Sequence, residues 1–185
     1  MPKTIVIPDQ ELFVPPDRFV NIKGTTIKIE HSLVAISKWE SKWHVPFLDD
    51  KTEKTDEMMI DYIRCMTITQ NVDPEIYYHI PVDVMKEIND YIDNPMTATW
   101  FNNEHSPKGM RSEVVTAELV YYWMISCQIP PEYDKWHFNK LMTLIRVCSE
   151  KNSQAQGGKK MSKRSILNQN RALNAARRKA NGSKG

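Results

Sequence analysis

The sequence is poor in the residues and motifs with which many enzymes hold phosphates, metals or nucleophiles. It contains only 6 glycines and 3 cysteines, so there are few places where the backbone could wrap closely around a phosphate group. The motifs GxGxxG, GxxxxGKS/T, GxSxG, HExxH and CxxC are all absent. The odd number of cysteines, each in an apolar helical pattern, favours free thiols over a disulfide framework.

Long apolar segments are also missing. The longest runs, such as residues 119–125, fall well short of the ~20 residues that a membrane-spanning helix needs. Pro2, Pro8 and Asp9 interrupt the N-terminal region, where a secretory signal would require a continuous apolar stretch. We therefore expect no membrane partner and a location in the cytoplasm.

Charge is distributed very unevenly along the chain, although the formal net charge is only +2. Residues 1–150 carry 15 Lys/Arg and 23 Asp/Glu, a net charge of −8. Residues 151–185 carry 10 Lys/Arg and no acidic side chain. The pattern predicts an acidic folded body followed by a short basic tail.

Composition and periodicity divide the chain into four parts. These are an N-terminal β element over 1–31, a helical domain over 32–151, a linker over 152–160 and a basic tail over 161–185. The predicted fold class is mainly α, of the α+β type, with a buried αα-hairpin in the helical domain. A thin apolar stripe after Ser162 predicts a tail helix that becomes ordered only on binding a partner.

Local signals predict the individual elements. In the β element, the alternating segments 19–22 and 25–31 flank Lys23-Gly24, which predicts a hairpin between them. Ser32, Thr55 and Ser112 are predicted to cap helices, and Pro81 suits the first position of another.

The least polar helices are predicted near the end of the body. Apolar residues on nearly all sides of the helix after Ser112 indicate that it is central and buried. A second helix is predicted to start at Asp134 and to contain Trp136. A link of about five residues around Pro130-Pro131 would make the two an αα-hairpin.

Titratable residues show no catalytic or metal-binding pattern. The 5 histidines are scattered, and none is spaced at i+3 or i+4 from another histidine or a cysteine. The acidic residues fall at helical spacing on polar faces, which is typical of solvated carboxylates. We predict no catalytic residues, no metal and no cofactor.

Aromatic residues are candidates for partner contact. Trp39 and Trp43 lie four residues apart and could form a surface patch, although packing into the core is the favoured interpretation. Tyr121, Tyr122 and Tyr133 could edge a groove. Trp136 is also a candidate for partner contact, although it is expected to pack within the last helix pair.

The basic tail is the feature that most directly implies a partner. Eight basic residues of the tail and of the end of the linker have no neighbouring acid: Lys159, Lys160, Lys163, Arg164, Arg171, Arg177, Arg178 and Lys179. A run of this kind can bind nucleic acid, an acidic protein surface or the acidic body of the same chain, or it can simply stay solvated and keep the protein soluble. Among partners, a protein is favoured over nucleic acid.

Four sequence blocks resemble a family of tailed bacteriophages whose members are described as tail assembly chaperones. Together they span most of residues 32–180. The blocks are SLVAISKWESKWHVPFL (Ser32–Leu48), MTATWF (Met96–Phe101), TAELVYYWMISCQIPPEYDKWHFNKLMTLIRVC (Thr116–Cys148) and KKMSKRSILNQNRALNAARRK (Lys159–Lys179). Pro131 and Tyr133 depart from the family pattern at the helix turn.

The resemblance implies a non-enzymatic protein of the host cytoplasm. Proteins of this family bind the long, apolar, helical tape-measure protein and keep it soluble until tail-tube subunits assemble around it. By resemblance, the Trp/Tyr-rich helix pair would supply an apolar groove, and the basic tail would dock on the tape-measure or tail-tube protein. Homo-oligomerisation is left open.

Two alternatives stay open. The chain could be a structural virion protein of the tail or connector, whose basic tail orders on a neighbouring subunit. It could also be a DNA-binding packaging or regulatory protein, which is the less favoured alternative.

Overall fold

A computed structural model describes the N-terminal five-sixths of the chain with several gaps. The described residues are 2–14, 18–49, 51–99, 101 and 114–155. They confirm the predicted class, because helices dominate and a small β element lies at the N-terminus. The chain divides into two compact units, Met1–Arg146 and Val147–Gly185.

The β element is one long antiparallel ribbon with an interruption. Its strands are β1 (Lys3–Ile7), β2 (Gln10–Val14), β3 (Arg18–Ile22) and β4 (Thr25–Ile29). β1 pairs with β4 and β2 pairs with β3, in the same register on both sides of the break. The predicted hairpin between residues 19–22 and 25–31 is therefore wrong, because each of these segments pairs with an earlier strand. The Pro15-Pro16 turn lies outside the described residues.

Gly24 is required at the interruption of the ribbon. Its N–H donates to Asp9 Oδ1 at 2.6 Å. A Cβ atom at this position would lie 2.5 Å from the Ile7 carbonyl oxygen and 2.5 Å from the Pro8 carbonyl carbon. Because both atoms belong to the backbone, they cannot move aside as a flexible side chain could.

Replacing Gly24 with alanine is expected to destabilise the domain by about 2 kcal/mol, in the range typical of overpacked sites. Urea unfolding followed by circular dichroism measures the loss. Thr26→Ala, at an exposed position of the neighbouring strand, is the control and should change stability by less than ~0.5 kcal/mol. Equal stability of the two variants would show that the ribbon adjusts around the added methyl group.

Helix α1 (Leu33–Trp43) buries five of its 11 residues. The predicted cap is confirmed, since Ser32 Oγ accepts the N–H of Ala35. The helix ends at His44, which has a left-handed backbone conformation with φ 55°. Leu33, Ile36 and Trp39 have no exposed surface, and α1 contacts α2, α4 and the segment before α5.

The next elements follow their predicted capping residues closely. Helix α2 (Asp56–Met66) is capped by Thr55, and a short 3-10 helix spans Pro74–His79. Helix α3 (Val82–Asp93) begins one residue later than predicted, so Pro81 is its N-cap rather than its first residue.

The last two helices differ most from the prediction. Helix α4 (Ala117–Ser126) is capped by Thr116, and Ser112 lies outside the described residues. The helix is not buried on all sides, because Tyr122 and Ile125 are 62% and 75% exposed. Its apolar character therefore reflects one buried face and one exposed apolar face.

Helix α5 (Phe138–Ala155) starts four residues later than Asp134. Pro131–Lys135 forms a 3-10 helix, and residue 137 pairs with Ser32 as an isolated β-bridge. The connection after α4 is therefore longer than predicted and is itself ordered. At the other end, α5 continues through Ala155, so the first four residues of the predicted linker are helical. The rest of the linker and the basic tail lie outside the described residues.

Residues 28–32 join three distant parts of the chain. Glu30 N–H donates to the Met66 carbonyl at 2.8 Å, and Ile68 N–H donates to the Lys28 carbonyl at 2.9 Å. The N–H of Phe138 donates to the His31 carbonyl at 2.8 Å. These bonds attach the ribbon to the end of α2 and to the start of α5.

Candidate partner-binding site

An open apolar cleft of about 390 Å³ lies between α2 and α3. It is lined by Asp56, Met59, Ile60, Tyr62, Ile63, Met85, Asn89 and Ile92. The lining is apolar except for Asp56 and Asn89. Such a cleft can take up apolar side chains of a partner and remove them from water.

The cleft exists because both helices carry more apolar residues than the core covers. In α2, Tyr62 and Ile63 are buried, whereas Met59 is 40% exposed. In α3, Val84, Ile88 and Tyr91 form the buried face. The cleft residues Met85, Asn89 and Ile92 repeat the same i, i+4, i+7 spacing one position further along.

Each helix contributes one methionine to the cleft, Met59 from α2 and Met85 from α3. Methionine is unbranched and polarizable, so it adapts its shape to different apolar partners. Surfaces that bind several related helical segments use this property.

The two helices are also strongly acidic. They carry seven carboxylates and two basic residues; the carboxylates are Asp56, Glu57, Asp61, Asp83, Glu87, Asp90 and Asp93, and the basic residues are Arg64 and Lys86. Asp61 is buried and ion-paired, and Glu87 pairs with Lys3 at 2.8 Å. The other five carboxylates form no salt bridge with any described residue.

Trp39 and Trp43 attach α1 to residues of α2 that do not line the cleft. Trp39 has no exposed surface, and its Nε1–H donates to the Met58 carbonyl at 2.7 Å. Trp43 Nε1–H donates to Asp61 Oδ2 at 2.9 Å. The core-packing interpretation of Trp39 is confirmed, and partner contact by this residue is wrong because the folded domain encloses it.

A buried cluster of histidines and tyrosines includes Tyr62, which also lines the cleft. Tyr62 Oη is 2.6 Å from His31 Nδ1, and the His31 and His137 rings are 5.0 Å apart. His137 Nε2 lies 2.9 Å from the Tyr91 carbonyl. Tyr62 therefore links the cleft lining to the β ribbon and the start of α5.

Burial sets the protonation state of this cluster. Desolvation, with a smaller effect from His137, lowers the pKa of His31 to about 3. Desolvation also lowers the pKa of His137 and raises the pKa of Tyr62 well above 10. All three side chains are neutral near pH 7, which suits a structural role better than proton transfer at that pH.

The aromatic residues predicted to contact a partner near the last two helices lie in different surroundings. Tyr121 is half-buried and its hydroxyl lies 3.4 Å from Asp134 Oδ2. Trp136 stacks on Tyr133 at 4.1 Å, with Lys140 on the ring at 4.3 Å. Tyr122, at 62% exposed, is the predicted aromatic that is most available to a partner.

The eight predicted basic site residues, Lys159 to Lys179, all lie outside the described residues. The proposed contact between this segment and a partner stays a prediction from the sequence.

Other kinds of site were sought in the described ranges. No group of three or more His, Cys, Asp or Glu side chains there is arranged to hold a metal ion. None of the helices in those ranges combines the length and apolar character needed to cross a membrane. The three cysteines are free thiols, as predicted.

Comparison with known proteins gives no relative from which a function could be transferred. No protein-family model, curated protein or solved structure matches the chain.

The sequence prediction missed the α2–α3 cleft. The helical spacing in the sequence places Met59, Ile60 and Ile63 on one apolar stripe of α2, and Met85 and Ile92 on one stripe of α3. The sequence of α3 does contain a signal for the cleft. Val84 and Met85 are adjacent, so their side chains cannot both face the same neighbouring element, and the apolar stripe of α3 is wide enough to cover a second surface.

Proposed function

We propose that the chain is a non-enzymatic tail assembly chaperone of a tailed bacteriophage, which binds the tape-measure protein during tail morphogenesis. The observation that carries the proposal is the open, methionine-containing cleft between α2 and α3. The four sequence blocks supply the link to the phage family.

The chemistry of the cleft suits this task. A long helical protein that exposes apolar stripes aggregates unless those stripes are covered. A binder that places an apolar cleft on an acidic, well-hydrated body can cover a stripe and keep the complex in solution. The adaptable methionines permit successive segments of similar but unequal shape to bind in turn.

The basic tail has a second role in this proposal. Its lysines and arginines attract carboxylates on the tape-measure or tail-tube protein, in the host cytoplasm where the tail is assembled. Attraction of this kind speeds association and weakens as salt concentration rises.

Co-expression with the tape-measure protein of the same phage tests the proposal. The chain is expected to move most of the tape-measure protein from the insoluble to the soluble fraction, and the two should co-purify. A double variant, Met59→Ser with Met85→Ser, should lose most of this effect, because it removes the adaptable side chains of both cleft walls.

The matched control is Ile68→Ser with Val82→Ser, which removes two exposed apolar side chains (47% and 87% exposed) that do not line the cleft. The control should solubilise the tape-measure protein as well as the natural chain does. Thermal unfolding of both variants confirms that they are folded.

If the tape-measure protein stays insoluble beside the natural chain, the chaperone function is wrong. If the chain is found in purified virions at a fixed copy number, it is a structural tail or connector protein. DNA binding that weakens steeply with salt would support the regulatory alternative.

A further inference from the structure

The cleft combines an apolar lining with an excess of acidic residues on its two helices, and we infer that it selects an amphipathic helix whose apolar stripe is flanked by lysine or arginine. This inference rests on the proposed function, since it names the chemistry of the segment that the same cleft binds.

The preference for a helical partner follows from the spacing of the apolar residues along each side of the cleft. Met85 and Ile92 lie seven residues apart on α3, and Met59 and Ile63 lie four apart on α2. A helix lying along the cleft presents side chains at the i, i+3, i+4 and i+7 positions to these walls. An extended strand would bury only every second residue and would match this spacing poorly.

The charged part follows from the position of the free carboxylates. Asp56 itself lines the cleft, and Asp93 lies four residues after the lining residue Asn89, on the same side of α3. Both are exposed and form no salt bridge with a described residue. Arg64 and Lys86 are the only basic residues of the two helices, against seven carboxylates, so α2 and α3 together carry a net negative charge.

This arrangement distinguishes partner helices with basic flanks from partner helices with acidic flanks. A helix with basic flanks gains attraction while its apolar stripe is buried, whereas a helix with acidic flanks meets like charges beside the same cleft. The discrimination is electrostatic, so it must weaken when salt screens the exposed charges.

A pair of synthetic peptides tests the inference directly. The peptides share one leucine stripe at i, i+3, i+4 and i+7 and differ only in flanking lysines or glutamates. Binding to the full chain is measured by fluorescence anisotropy. At low salt the lysine peptide is expected to bind about tenfold more tightly, and the difference should nearly vanish at about 1 M salt, where the Debye length is about 3 Å.

Reversing the charge of one cleft residue tests whether the preference for the lysine peptide arises at the cleft. Asp56→Lys should weaken binding of the lysine peptide by about fivefold, as expected for exposed charges. Glu118→Lys is the matched control, because Glu118 is also an exposed acid in the first turn of a helix, α4, and does not line the cleft. It changes the net charge equally and should leave binding within about twofold.

Equal binding of the two peptides at low salt would overturn the inference. Equal loss of binding in the two charge reversals would also overturn it, because overall charge and not the cleft would then attract the peptide. Self-association of the chain that the Met59→Ser, Met85→Ser variant abolishes would identify a second copy as the occupant.

The outcomes separate this inference from the chaperone function. If the chain solubilises the tape-measure protein but does not discriminate between the peptides, the inference fails alone. If the lysine peptide binds as expected and the tape-measure protein stays insoluble, the chaperone function fails and the cleft chemistry stands.

Discussion

Glu40→Ala is expected to lower the free energy of unfolding by about 3–5 kcal/mol, since hydrogen bonds to a charged group contribute about 1.5–3 kcal/mol each. The Glu40 carboxylate is 8% exposed. Its Oε1 accepts the N–H of Phe47 at 2.8 Å, and its Oε2 accepts the N–H of Ala117 at 2.7 Å. Alanine would leave the buried N–H of Ala117 and the partly buried N–H of Phe47 without an acceptor, and would release the first residue of α4 from α1.

Urea unfolding monitored by circular dichroism measures this loss. Glu40→Gln keeps one acceptor oxygen but places an amide group against a donor, so we expect an intermediate loss of about 2 kcal/mol. Glu118→Ala, at an exposed acid on α4, should change stability by less than ~0.5 kcal/mol. A Glu40→Ala variant as stable as the Glu118→Ala variant would contradict a bridging role for this carboxylate.

Stability is expected to fall by about 3 kcal/mol between pH 7 and pH 4.5 through His31 alone. The folded domain holds the pKa of His31 near 3 because the ring is buried beside His137, whereas the ordinary value is 6.5. Below pH 6.5 the unfolded chain therefore binds a proton that the folded chain excludes, and this favours unfolding. The contribution of His31 is fully present above pH 6.5 and is lost as the pH falls toward 3.

The measurement is the free energy of unfolding across this pH range for the natural chain and for His31→Gln. The variant has lost the titrating ring, so its curve should fall less steeply, and subtracting the two curves cancels most of the titration of the carboxylates. His44→Asn, at an exposed position with positive φ that asparagine tolerates, should follow the natural curve. Parallel curves for the natural chain and His31→Gln would contradict the assignment.

Local signals were enough to predict the start of several elements. Ser32 and Thr55 cap α1 and α2 as expected, because a side-chain oxygen that accepts a helix N–H acts within a few residues of itself. The mainly α class follows from the same short-range periodicity.

Pairing and burial depend on distant residues and were harder to predict. The period-two pattern of residues 19–29 identifies strands but not their partners, and the ribbon pairs Ile27 with Ile5 rather than with a residue across Lys23-Gly24. Helix α4 was expected to be central because of its composition. In the structure α1 occupies that place, and α4 leaves Ile125 exposed.

The candidate site was predicted least well. Trp39 and Trp43 were identified as aromatic neighbours, yet their indole N–H groups bond to Met58 and Asp61 of α2. The cleft depends on how α2 and α3 approach each other, which no local pattern in either helix specifies. The basic tail remains a prediction from charge alone.

The hydrogen bonds of residues 28–32 determine how much of the chain must be synthesised before the domain can complete its fold. The strand ending at Ile29 finds its ribbon partner early, in residues 3–7. The His31 carbonyl can accept its hydrogen bond only after Phe138, more than a hundred residues later in the chain, has been synthesised. Until the ribosome has released that residue, the nascent chain holds an incomplete domain whose first elements lack their last partner. Contacts of such long sequence separation slow folding, so the emerging chain of this protein is itself exposed to aggregation for most of its translation.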